Sequence, residues 1–175
     1  MASLFVLIPR LSFALTALLS VSVSPQAALA ADKAVVVGTT APDFSGKELD
    51  GMAFSLAELS GRVVYLDFWA SWCPPCRVSL PWMEMIRERY SKEQFSVVTV
   101  NLDSDPSAAV QMLKEVNAQF VTVSDPSGSI ARLFSAPAMP TSYLIDREGV
   151  VRAVVKGFRE SEKEPLEEKI KELLR

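Results

Sequence analysis

The chain contains no histidine, and that absence excludes more chemistry than any other feature of its composition. Without imidazole there is no Ser-His-Asp or Cys-His hydrolase, no HExxH zinc protease, no CxxCH haem attachment and no zinc site that mixes cysteine with histidine. Cysteine is nearly as scarce. Two residues in 175 are too few for a closed tetrahedral zinc site or for a framework of structural bridges. Positive charge is also in deficit, with 18 Lys and Arg against 21 Asp and Glu, so no broad basic face exists to neutralise phosphates and nucleic acid is not an expected partner. What is plentiful is apolar material, 49% of the chain, enough for one ordinary domain to bury a core without staples.

The first thirty residues read as a separate unit. Arg10 is their single charge, and it precedes a mostly apolar stretch over 11–23 that is too short to cross a bilayer comfortably. Ser24 and Pro25 end that stretch, and Ala28-Leu29-Ala30 places small residues three and one positions before Ala31, the pattern of a cleaved secretory signal. Residues 1–30 are therefore expected to be removed after Ala30, leaving a tail over 31–39 and a domain over 40–175, exported to a periplasmic compartment. The alternative is an uncleaved anchor in which 4–8 joins the later stretch, but Pro9 and Arg10 interrupt it.

In an oxidising compartment the pair Cys73 and Cys76 invites a chemical reading. A bridge that closes four residues stabilises a fold by only about 2 kcal/mol on loop-entropy grounds, so a structural role is a poor use of it. The context points the same way. RVVYLDFWA over 62–70 reads as a strand buried on both faces, entered through Gly61. From Pro74 the apolar period changes: Val78, Trp82, Met85 and Ile86 form one stripe of a helix over 74–90, and Pro74 suits a first helical position. Cys73 then stands where the helix dipole and nearby Arg77 favour a thiolate. The effect is moderate, because Pro74 and Pro75 have no N–H and leave the Cys76 amide as the nearest donor. Cys73 is expected to be the outer, attacking sulfur and Cys76 the shielded, resolving one. Asp67 interrupts the apolar strand, and a carboxylate buried there should hold its proton unusually tightly. It is a candidate proton acceptor for Cys76, through a water.

Further strands are expected over 95–101, 120–123, 141–146 and 150–156, the last two joined at Arg147-Glu148-Gly149 as a hairpin. Helices are expected over 106–117, with Ala109, Leu113 and Val116 on one face, over 129–134, and from Ser161 or Glu164 to the end, burying Leu166, Ile170, Leu173 and Leu174.

DFWASWCPPC, with Pro81 downstream and MPTSYLID later, resembles the thioredoxin superfamily, and the exported form looks like its TlpA/ResA-like branch of thiol-disulfide oxidoreductases. That resemblance implies an α/β thioredoxin-like fold, a central mixed sheet flanked by helices, with an extra helix and strand inserted after the second core strand, between 103 and 123. It also implies that Cys73 is the nucleophile, Cys76 the resolving thiol, Asp67 the buried acid, Pro81 a kink in the active-site helix and Pro140 a cis-proline beside the dithiol. Trp72, Pro74, Pro75, Met139 and Thr141 are then the expected substrate contacts, with the backbone of 139–141 open to an added strand. No cofactor is implied beyond the dithiol itself. Two departures stand out. Ser79 occupies a position where many of that branch carry glutamate, and Ala138 one where many thioredoxins have glycine.

The expected activity is exchange of the Cys73/Cys76 dithiol with protein disulfides, as a reductant, by a monomer recharged by a membrane electron donor of the DsbD or CcdA type. Apocytochrome c cysteines or a copper-site assembly protein are the implied substrates. A different class of reading is a metallochaperone holding Cu(I) between Cys73, Cys76 and Met139, since sulfur ligands suit that soft ion.

Overall fold

A computed structural model describes residues 34–175. The leader assigned to residues 1–30 lies outside them. The organising element is β3 (Val63–Trp69), all seven of whose residues are buried. It earns that position by being apolar on both sides. It pairs in parallel with β4 (Phe95–Asn101) and antiparallel with β6 (Thr141–Ile145), while helices cover both faces. The sheet continues through β5 (Val121–Ser124), β1 (Ser45–Glu48) and β2 (Ala53–Ser55) on one side and β7 (Val151–Lys156) on the other, in the order β2-β1-β5-β4-β3-β6-β7.

Strand alternation divides the core in two. Val63, Tyr65 and Trp69 point to α1 (Pro74–Arg89), α2 (Pro106–Glu115) and α4 (Lys163–Leu174), meeting Leu80, Met83, Ile86, Met112 and Ile170. Val64, Leu66 and Phe68 point the other way, to Phe134, Tyr143 and Ile130 of α3 (Ser129–Leu133). The inserted α2 and β5 are not an appendage. β5 pairs in parallel with β4 and antiparallel with β1, so it joins the first hairpin to the rest of the sheet.

Three expectations need correction. The hairpin β1–β2 was not anticipated, although Asp50-Gly51 at its turn is a hairpin signal: Asp50 accepts the Met52 amide at 2.9 Å and Gly51 adopts φ +92°, which glycine tolerates best. The stripe assigned to the active-site helix is displaced. Val78 and Met85 are 49% and 40% exposed, and the buried face is Cys76, Ser79, Leu80, Trp82, Met83 and Ile86. Two apolar stripes overlap on this helix, and only its seat on β3 selects between them. Of the stretch expected as a tail over 31–39, the described residues 34–39 are part of the fold, because Val35 is buried, the Gly38 amide donates to Val151 and the Val151 amide to Thr39.

At Gly46 the sheet leaves no room for a side chain, since a Cβ would stand 2.6 Å from Val123 Cγ1. Gly46→Ala is expected to destabilise the protein by roughly 1–3 kcal/mol, read from the denaturant midpoint, and Val123→Ala in the same chain should return part of that loss.

Candidate active site

The site forms where β3 ends and α1 begins. Trp69 closes the strand, 70–72 turn, and Cys73 takes the extended N-cap conformation, φ −92° and ψ 108°, before Pro74 and Pro75 start the helix. Both prolines occupy a first turn that needs no N–H from them. The turn is held from beside it by Asp103, a buried carboxylate just beyond β4. It accepts the Ser71 amide at 3.0 Å, the Ser71 hydroxyl at 3.0 Å and the Asn101 amide nitrogen at 2.9 Å. Asp103 and Asn101 escaped sequence reasoning because they lie some thirty residues from the turn they fix. The one signal was their position at the end of a buried strand.

Cys73 and Cys76 are joined by a disulfide, S–S 2.08 Å and Cα–Cα 5.3 Å. The expected contrast in access is small in this oxidised form: Cys73 is 4% exposed and Cys76 fully buried. Cys73 is therefore not an open sulfur, though it is the one with any surface. The Cys76 amide, anticipated as a donor to the thiolate, instead bonds the Cys73 carbonyl at 3.1 Å. Trp72 stands beside the pair, 67% exposed; Pro74 is exposed and Pro75 half-buried. Ser79 is buried and donates its hydroxyl to the Cys76 carbonyl at 3.1 Å.

The Met139–Pro140 peptide is cis. Met139 packs against the core cluster that contains both cysteines. The strand edge expected over 139–141 is narrower than anticipated. Pro140 is buried and its carbonyl accepts the Gly157 amide at 2.8 Å, while Thr141 is buried between β3 and β7 with its hydroxyl donating to the Ala138 carbonyl at 2.7 Å. Thr141 thus has no surface with which to touch a substrate side chain, and Met139 remains as the accessible member.

Asp67 is fully buried, and alternation places it on the same face of β3 as Tyr65 and Trp69, the face on which the cysteines lie. Its Oδ1 accepts the Ser142 hydroxyl at 2.5 Å, and its Oδ2 has no partner. Burial pushes the carboxyl up to about 7, against the smaller opposing effect of the Ser142 hydrogen bond. The side chain can gain or lose a proton near neutrality, on the face of β3 where the disulfide lies.

Residues 36–174 match the family model described as Redoxin. The chain is 31% identical over 137 residues to the thiol-disulfide oxidoreductase ResA of Bacillus thuringiensis subsp. konkukian, covering 78% of each protein. It is 34% identical over 125 residues to the ResA of Oceanobacillus iheyensis, covering 69% of this chain and 65% of that one. Among solved structures it is similar to a thiol:disulfide interchange protein DsbE from Chlorobium tepidum, at 44% identity and TM-score 0.77, covering 81% of this chain and all of the other.

The raised Asp67 carboxyl has a consequence for stability. Between the ordinary value of 3.8 and about 7 the folded protein keeps a proton that the unfolded chain releases, so stability is full below the lower value and falls as pH rises through the upper one. Asp67→Asn removes that dependence. Denaturant unfolding of the oxidised protein should find the variant more stable than the parent by roughly 4 kcal/mol at about pH 8, with the gap closing near about pH 4.

Proposed function

The chain belongs to the redoxin family and is a thiol-disulfide oxidoreductase of the ResA/DsbE type; from that premise we propose that it works outside the cytoplasm as a reductant of protein disulfides. The observation that carries the reading is a Cys73–Cys76 disulfide at the start of a helix, sharing a buried wall with a carboxyl poised near neutrality.

In the reductive direction the Cys73 thiolate attacks one sulfur of a substrate disulfide. The other substrate sulfur leaves as a thiolate and takes a proton from solvent, and a mixed disulfide links Cys73 to the substrate. Cys76 then gives its proton to Asp67, through a water, and attacks the Cys73 sulfur. The Cys73–Cys76 bond forms, the second substrate thiolate departs and is protonated, and two electrons have passed from the protein to the substrate. Trp72, Pro74, Pro75 and Met139 border the place where the substrate segment rests. Pro140 shapes that border, while Thr141 serves it from within the sheet.

The direction follows from how little the helix start offers a thiolate. Pro74 and Pro75 supply no N–H, and the Cys76 amide is spent on the Cys73 carbonyl. A thiolate that is only moderately stabilised leaves the reduced form without the excess stability that makes a strong oxidant. Each turnover consumes the dithiol, so a membrane electron donor of the DsbD or CcdA type recharges it, and the substrates are disulfides of apocytochrome c or of a copper-site assembly protein. Export rests on residues 1–30. The first buried side chain of the described fold is Val35, so cleavage after Ala30 leaves that fold whole. The working form is a monomer.

Met139 beside the cysteines also suits the Cu(I) reading, but a closed disulfide offers the ion no thiolate, whereas exchange uses both states of the pair. Redox equilibration with glutathione tests the proposal. A potential near about −270 mV is expected, one near about −120 mV would reverse the direction, and tight copper uptake without disulfide turnover would replace exchange by metal carriage. Cys76→Ser should accumulate a covalent complex with substrate, visible on a non-reducing gel, and Cys73→Ser should form none.

A further inference from the structure

Behind Asp67 lies a chain of hydroxyls that the exchange steps leave unassigned. Ser142 is the register partner of Asp67 across β3 and β6, and Tyr65 precedes Asp67 by two residues on the same face of β3. The Tyr65 phenol donates to Ser142 Oγ at 2.8 Å, and Ser142 Oγ donates to Asp67 Oδ1 at 2.5 Å. All three side chains are buried, and Tyr65 is wedged edge-on against Trp82 with ring centroids 5.5 Å apart.

Each hydroxyl has one proton to give. If Asp67 were protonated on Oδ1 and donated to Ser142, the serine would turn its proton to the phenol oxygen, and the Tyr65 proton would be stranded in the core without an acceptor. A proton on Oδ2 can pass to the water that the exchange reading sets between Asp67 and Cys76, whereas the Tyr65 proton has no such outlet, so the Tyr65 end sets the direction of the whole chain. Oδ1 stays an acceptor in both charge states, and any proton on the acid sits on Oδ2, the oxygen that has no partner.

We propose that Tyr65 and Ser142 are positioning residues for the resolving step: they reserve Oδ1 as a fixed acceptor and leave Oδ2 as the oxygen that receives the Cys76 proton. The assignment rests on the dithiol-exchange reading. Burial pushes the Tyr65 phenol well above its ordinary value, so it remains a donor throughout the working range, and the Ser142 bond opposes the upward push of burial on Asp67. The other groups facing this wall are few. Cys73 and Cys76 face it from α1. Thr99 is the register neighbour on β4, with its hydroxyl bonded to Thr122 at 2.9 Å, and Glu162, just before α4, acts through space on Tyr65.

The test uses the full-length chain. The Asp67 carboxyl is titrated by its infrared band or by carbon NMR in the oxidised protein. Resolution is followed in the reduced protein as the second phase of thiopyridone release from dithiodipyridine, since attack by Cys73 frees one thiopyridone and resolution by Cys76 frees the next. Ser142→Ala should raise the Asp67 midpoint by about one pH unit. Tyr65→Phe, which preserves ring volume, should raise it by less, because it removes only the cooperative support of the serine proton. Ser142→Thr should restore the parent midpoint. Near about pH 7 the second phase of Ser142→Ala should slow about fivefold, converging with the parent above about pH 9. Midpoints of Ser142→Ala and Tyr65→Phe that coincide with the parent, or a second phase slowed equally at every pH, overturn the assignment. Asp67→Asn and Cys76→Ser separate the levels: an unchanged second phase in Asp67→Asn removes the proton-acceptor role of Asp67 and this assignment with it, while a Cys76→Ser chain that still released the second thiopyridone would remove the exchange reading itself.

Discussion

A carboxyl group in the middle of a strand buried on both faces is the constraint from which the rest of this site follows. β3 carries six other buried residues and pairs with a neighbour on each side, so Asp67 has no route to water by rotation or by fraying. Desolvation alone then lifts it toward neutrality. The same burial is what makes β3 the axis of the sheet. A fold that solvated Asp67 would have to open the strand that holds Trp69 and the turn to Cys73. The burial that makes the acid costly to the folded state is also what suits it to the proton-acceptor role proposed for it.

Two aspartates at this end of the sheet illustrate how environment divides one residue type into two roles. Asp103 collects the Ser71 amide, the Ser71 hydroxyl and the Asn101 side chain, so its charge is met by donors and its work is to fix the turn before Cys73. Asp67 receives one hydroxyl and keeps one oxygen bare. A carboxylate whose oxygens are all met by donors makes a good anchor, and one with a bare oxygen keeps room for a proton. Asp67 lies within β3 and Asp103 just past its parallel neighbour β4, and the anchoring matters because a cysteine held loosely at the helix start could not meet its resolving partner in a repeatable geometry.

The catalytic stretch was legible because its signals are local. A continuous β-branched and aromatic run, a change of period at Pro74 and two cysteines one turn apart all lie between 62 and 90, and the elements they imply are found there. What escaped is non-local or ambiguous. Ser142 and Tyr65 are far apart in sequence and meet only through the antiparallel register of β3 and β6. The exposed Val78 and Met85 show why helix periodicity misleads on a helix whose neighbouring apolar stripes share members. The strands of the first hairpin are short and edge-like, with half of their residues polar, and carry little alternation to read.

The inequality of the two sulfurs has to be understood from their place in the helix, since access barely separates them in the oxidised form. Cys73 stands at the N-cap, before the first helical residue, and is flanked in the turn's exposed rim by Trp72 on one side and Pro74 on the other, so its sulfur is the one with surface. Cys76 is one residue inside the buried face, beside Leu80 and the wall of β3, and its amide is already tied to the Cys73 carbonyl. An incoming thiolate meets the sulfur that has surface, which makes the fully buried Cys76 sulfur the leaving group. In the proposed mechanism Asp67, on the face of β3 that carries the cysteine cluster, supplies the proton to it, so attack at the edge and protonation in the interior follow one asymmetry, imposed by the boundary between a strand and the helix that follows it.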